Sequence, residues 1–161
     1  MNRLKLFFWV IFFQILILNN IQFSGYINPY YYIIFILTIP NHQSKVRVLL
    51  LSFILGFIID IFSNSYGSHA FSCVLIAYLK TVWINNKVVS DGEDAINFNN
   101  LSFGEFIKKS SIYILIHHFS LFFLERFYLK EIIPIILITF VSSIFTLILL
   151  IIHKALIPKK S

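Results

Sequence analysis

Charged residues are scarce in this chain: 12% of its 161 positions carry Asp, Glu, Lys or Arg, against about 25% in ordinary soluble domains. A water-soluble monomer of this composition would have too few charges to coat its surface. Cysteine is nearly absent as well. Cys73 stands alone, so an internal disulfide framework is excluded and the redox compartment is left open. No internal repeat or low-complexity segment interrupts the chain. Several chemical signatures are also missing: a Gly-rich phosphate loop ending in Lys-Ser/Thr, His-Glu-x-x-His, a paired-Cys zinc pattern and a Gly-x-Ser-x-Gly elbow. The expectation is a protein that is not an enzyme and needs no cofactor or metal.

What the chain does have is apolar material. Hydrophobic residues make up 58% and aromatics 18%, and mean hydropathy is +0.84. That excludes intrinsic disorder, which requires low hydrophobicity, and makes a lipid bilayer the natural solvent. At roughly 20 residues per crossing the length accommodates about six spans. Thirteen basic residues against seven acidic ones give a net charge of +6. The basic residues lie between apolar blocks, which marks membrane topology and not a nucleic-acid surface.

The expected architecture is all-α: a polytopic membrane protein forming one integral membrane domain, a bundle of about six transmembrane helices with both termini cytoplasmic. The helices are expected near 4–20, 27–40, 46–62, 68–84, 107–126 and 132–153, with a cytoplasmic loop at 85–106. The first block resembles a signal peptide, but no small-residue cleavage site follows, so it is expected to stay as helix one. Asn28 is read as an N-cap and Pro29 as the first helical position of helix two, with Tyr26, Tyr30, Tyr31 and Tyr32 in the headgroup layer. The block ending at Pro40 is short for a crossing; Lys45 and Arg47 beyond it argue that it spans. Gly67 in the link from Ser63 suits a turn with positive φ. Asp91-Gly92-Glu93-Asp94 reads as a solvated turn. The stretch Phe103–Lys109 is amphipathic and suited to the membrane surface. Six crossings place eleven basic residues inside and two, Arg126 and Lys130, outside.

Ionisable and polar groups within the apolar blocks are the candidate functional residues, because each is costly in hydrocarbon unless it faces protein or water. On helix three, Ser52, Gly56 and Asp60 fall at intervals of four, a small-small-acid row. On helix four, His69, Cys73, Ala77 and Thr81 form a matching row, and the two rows are expected to pack with Asp60 near His69. This cluster reads either as a structural hairpin lock or as a proton relay or ligand site. His117 and His118 point about 100° apart on helix five, with Glu125 on a face similar to that of His118. Thr139, Ser142, Ser143 and Thr146 make a weakly polar stripe on helix six, suited to contact within the protein or with a partner.

Several phrases resemble the rod shape-determining MreD family: Asn28-Pro29-Tyr30, Leu37-Thr38-Ile39-Pro40, Gly56-Phe57-Ile58-Ile59-Asp60-Ile61-Phe62 with Gly67-Ser68-His69-Ala70, and His117-His118-Phe119 through Glu125. The resemblance covers nearly the whole chain apart from the loop at Asn85–Gly104. It implies a non-catalytic inner-membrane subunit of the bacterial elongation machinery, a scaffold for peptidoglycan synthesis and cell shape. The implied partners are MreC, the MreB filament, and RodA with its partner transpeptidase. Lys45, Arg47 and the Asn85–Gly104 loop are candidates for cytoplasmic contact. A second resemblance is to the substrate-binding membrane subunits of energy-coupling vitamin transporters. It is weakened because helix one lacks the alanine pair those proteins use for docking.

Overall fold

Six α-helices account for most of the computed structural model, which describes residues 3–21, 27–40, 42–91, 98 and 101–156. They are α1 (Arg3–Leu16), α2 (Ile33–Thr38), α3 (Lys45–Ser63), α4 (Ser68–Asp91), α5 (Phe103–Arg126) and α6 (Ile132–Leu156). Short 3-10 turns follow α1 at Leu18–Asn20 and precede α6 at Leu129–Glu131. The protein is all-α. Three stretches, Arg3–Asn20, Lys45–Ser63 and Ile132–Leu156, are long and apolar enough to cross a membrane. Tyr26, Asn41, Gly92-Glu93-Asp94, Lys159 and Lys160 lie outside the described residues.

Hydrogen bonds between elements fix their directions. Asn19, after α1, donates to Ser63 at the end of α3, so α1 and α3 run parallel. The α3–α4 link is tight, and Ser120 of α5 donates to Ser72 of α4, although the two residues sit near opposite ends of their helices. His118 of α5 meets Thr146 of α6 in the same antiparallel sense. The long α helices present apolar residues outward. Phe8 and Phe12 on α1, Leu50, Phe53 and Phe57 on α3, and Ile136, Leu137 and Phe140 on α6 are all exposed. Away from the basic helix ends, polar residues of the same helices face in: Gln14, Ser52, Asp60, Thr139, Ser142 and Thr146 are buried.

The second segment departs from expectation. A regular helix over 27–40 is not formed; α2 has six residues, about 9 Å at 1.5 Å per residue, and Pro29 lies four residues before it. Tyr32, not Asn28, precedes its first turn. Nor do Tyr30, Tyr31 and Tyr32 present their rings outward: they are 4%, 6% and 0% exposed. The physical reason is that non-helical backbone is tolerated at membrane depth where protein surrounds it and supplies its hydrogen bonds. Here neighbouring side chains do so. Asn28 N–H donates to Ser142 Oγ, Tyr30 N–H to Thr146 Oγ1 and Tyr31 N–H to Gln14 Oε1, while Gln14 Nε2 donates to the Pro29 carbonyl. Residues 28–38 therefore form the centre of the bundle, with Ile33, Ile34, Ile36 and Leu37 almost fully buried.

Two further boundaries differ. α4 continues to Asp91, past the expected end at 84. α5 begins at Phe103, so Phe103–Lys109 is its first two turns and not a separate surface helix. A capping box decides that start: the Ser102 side chain accepts from Glu105 N–H and the Glu105 side chain accepts from Ser102 N–H, satisfying two of the amides that a helix start leaves open.

Candidate functional site

The densest polar arrangement lies where α3, α4, α5 and the buried tyrosine segment converge. It begins with Asp60. The hairpin turn brings its carboxylate onto the start of α4, where Oδ1 accepts from Ser65 Oγ (2.6 Å) and His69 N–H (2.9 Å) and Oδ2 from Ala70 N–H (2.8 Å). An acid on one helix thus caps the N-terminus of the next, matching the positive end of the helix dipole. Close approach makes this possible. At Gly56 an added Cβ would fall 2.6 Å from the Ala70 Cα and 2.6 Å from the His69 carbonyl, a contact only glycine permits. The turn itself holds Asn64, Tyr66 and Gly67 at positive φ, Gly67 at +95°.

From His69 the contacts run inward. His69 Nε2 lies 4.0 Å from Glu125 Oε1 on α5, and His69 Nδ1 lies 2.6 Å from the Tyr32 hydroxyl. The same hydroxyl is 3.1 Å from His117 Nε2, and Cys73 Sγ is 3.9 Å from that nitrogen. A phenol has one hydrogen to donate, so Tyr32 donates to one imidazole and accepts from the other, which allows the chain two orientations. His117 Nδ1 has no partner among the described residues.

His118 belongs to a different set of bonds. Its Nδ1 is 2.9 Å from the Ile114 carbonyl and its Nε2 is 3.0 Å from Thr146 Oγ1. Because a carbonyl only accepts, Nδ1 carries the hydrogen. Thr146 Oγ1 accepts from Tyr30 N–H as well, so both ring nitrogens of His118 are engaged and its Nε2 shares a partner with the buried segment. The adjacent histidines, as their 100° offset requires, serve separate partners.

A second polar centre lies at the opposite end of the bundle. Lys80 is 2% exposed, and its ammonium donates to the carbonyls of Ile36 (2.9 Å), Leu37 (2.8 Å) and Ile39 (2.5 Å). Three donors meet three acceptors at the negative end of α2. The Phe98 ring lies 5.7 Å away, within cation–π range. Pro40 directly follows these carbonyls, where a helix cannot readily continue.

The structure therefore brings Gly56, Asp60, His69, His117 and Glu125 together, with Gly67 in the turn above them. Ser142 serves the backbone at Asn28. Ser52 bonds its own helix at the Val48 carbonyl, and the Ser143 hydroxyl has no partner among the described residues. Glu125, placed by spacing on the face of His118, faces His69 Nε2 at 4.0 Å because the antiparallel α4 presents that residue to it. Lys45 and Arg47 are exposed at the start of α3, where Arg47 donates to Gln43 (2.6 Å). Tyr32, Gln14 and Lys80 are the participants that spacing missed. The lone glutamine and lysine inside apolar helices were the available signals. Among the described residues no group of three or more His, Cys, Asp or Glu side chains is placed to hold a metal ion.

No protein family, curated protein or solved structure matches this chain. Its function is argued from these residues.

Proposed function

We propose that the chain is a six-crossing inner-membrane protein with both termini cytoplasmic, acting as a non-catalytic subunit of the bacterial cell-elongation complex of the MreD kind. The observation that carries this reading is spatial. The phrases behind the MreD resemblance lie far apart in the sequence, yet Tyr30, Gly56, Asp60, His69, Ala70, His117 and His118, drawn from three of them, meet in one interior cluster. Tyr30 stacks edge-on against His69 at 5.1 Å and tilts against His118 at 5.1 Å. Residues that carry a resemblance and also share one packed interior act as a unit of the fold.

The topology has independent support. α4 and α5 have 24 residues each, about 36 Å of helix against a hydrocarbon core of about 30 Å, with Ser72 and Lys80 of α4 and Ser110, His117 and His118 of α5 buried. Arg3, Lys5, Lys45, Arg47, Lys80, Lys108, Lys109 and Lys154 gather at one end of the bundle, Arg126 and Lys130 at the other. Basic residues near helix ends favour the cytoplasmic side.

A buried polar interior and broad apolar outer faces suit a docking role, with partner helices such as that of MreC packing from the lipid side. Lys45 and Arg47 would serve the MreB filament, and the assembly would reach RodA and its transpeptidase. Crosslinking a tagged chain in native membranes should co-purify MreC, and charge reversal at Lys45 and Arg47 should weaken filament association. Absence of MreC from the crosslinked material would overturn the assignment. The vitamin-transporter reading is disfavoured because Tyr30–Leu37 fill the centre of the bundle.

A further inference from the structure

A cavity of about 550 Å³ opens at the α3–α4 turn, lined by residues that include Ser63, Ser65, Ser68 and Glu125. Glu125 is the acidic member of this wall, and its side chain is 32% exposed. Behind it the contacts run Glu125, His69, Tyr32, His117, in steps of 4.0, 2.6 and 3.1 Å. The first gap exceeds hydrogen-bond length by about 1 Å, which a carboxylate at a cavity mouth closes by rotation or through one water. The chain then ends. His117 is fully buried, and its second ring nitrogen finds no partner among the described residues.

We propose that this chain takes up a proton from the cavity and stores it on His117. Uptake starts from the orientation in which Tyr32 donates to His117 and both histidines carry their hydrogen on Nδ1. The protonated Glu125 carboxyl gives its hydrogen to His69 Nε2. His69 passes its Nδ1 hydrogen to the Tyr32 oxygen, and Tyr32 passes its own hydroxyl hydrogen to His117 Nε2. Tyr32 ends as a neutral phenol and His69 as a neutral imidazole. Glu125 ends as a carboxylate and His117 as an imidazolium. Water in the cavity supplies the proton to Glu125, and reversing the three hops returns it. Because His117 Nδ1 has no partner among the described residues, the chain of contacts stops there and the proton is held.

Rings of Tyr30 and Tyr32 lie 5.9 and 5.5 Å from His117, at interplanar angles of 59° and 70°, and the Glu125 carboxylate left at the cavity is the anion of the chain. The titratable groups facing the chain are Asp60 from α3, His69 and Cys73 from α4, Tyr30 and Tyr32 from the buried segment, and His118 and Glu125 from α5. From α6 the nearest contributor is the neutral Thr146 hydroxyl. Asp60 is held by three donors at the α4 start, so Glu125 is the acid with access to the cavity. Uptake does not depend on which machinery the bundle serves.

The test is ¹⁵N-histidine NMR of the full chain in lipid nanodiscs, titrated from about pH 8 to about pH 5, the range in which histidine charge ordinarily changes. Wild type should show the doubly protonated His117 ring emerging on acidification. In Tyr32→Phe that signal should be lost while His69 still responds. In Glu125→Gln, which lacks the anion that the imidazolium faces across the chain, uptake should move to lower pH. A His117 that stays singly protonated throughout, or a midpoint unchanged in Glu125→Gln, would overturn the proposal. Glu125 is at the surface, so that variant keeps the test decisive if Tyr32→Phe fails to fold.

Discussion

Gly56 and Ala70 are packed backbone to backbone: a Cβ on Gly56 would sit 2.6 Å from the Ala70 Cα. Two helices meet at this distance only where one lacks a side chain. The contact seats Asp60, one turn further along α3, over the first amides of α4. Gly56→Ala is therefore expected to push the hairpin apart and cost about 1–3 kcal/mol, as overpacking does. Gly104 supplies the control. A Cβ there meets nothing within 4 Å, and its place in the first turn of α5 predicts a neutral or slightly stabilising Gly104→Ala. Thermal unfolding of both variants in one detergent checks the pair; equal melting temperatures would contradict the packing.

Asp60 offers a graded test. Asn keeps one carbonyl acceptor for the α4 amides, whereas Leu removes every acceptor and leaves buried N–H groups unpaired. Asp60→Asn should be the milder change and Asp60→Leu the more severe, by about 1–3 kcal/mol for the groups left unsatisfied. Unfolding midpoints of the two variants read the order directly. Equal loss in both would mean that capping is not what Asp60 contributes.

This hairpin lock is also the part of the site most legible in the sequence. Spacing by fours on two apolar helices, joined by a tight turn, places Asp60 beside His69 without further information. The long helices were legible for a similar reason, since apolar runs with polar residues on one face admit few alternatives. The buried segment was not. Asn28-Pro29 carries a local helix-start signal, but the groups that satisfy this backbone are Ser142 and Thr146, 114 and 116 residues away. No local pattern encodes such a partnership. The role of Lys80 was hidden for a related reason: its partners are backbone carbonyls, which every residue possesses. Tyr32 was hidden among neighbouring tyrosines whose composition matches an interfacial belt.

Lys80 predicts a local effect. Its ammonium closes the carboxyl end of α2 with three bonds, and Lys80→Met would take the Lys80 donor from the carbonyls of Leu37 and Ile39 and leave Ile36 with the Ile39 N–H. A loss of about 1–3 kcal/mol is expected, concentrated at α2. Hydrogen exchange should quicken at the amides of Ile33 to Thr38 more than at those of α3. Uniform protection in the variant would contradict the latch.

The orientation of the bundle in lipid is the claim from which the others take their meaning, and cysteine labelling measures it most directly. The native Cys73 is fully buried and should be silent. Tyr66, fully exposed in the α3–α4 turn, and Val46, 76% exposed at the start of α3, mark opposite ends. In intact spheroplasts an impermeant maleimide should label Tyr66→Cys and spare Val46→Cys until the membrane is opened. Labelling of Val46→Cys in sealed cells with protection of Tyr66→Cys would contradict the account.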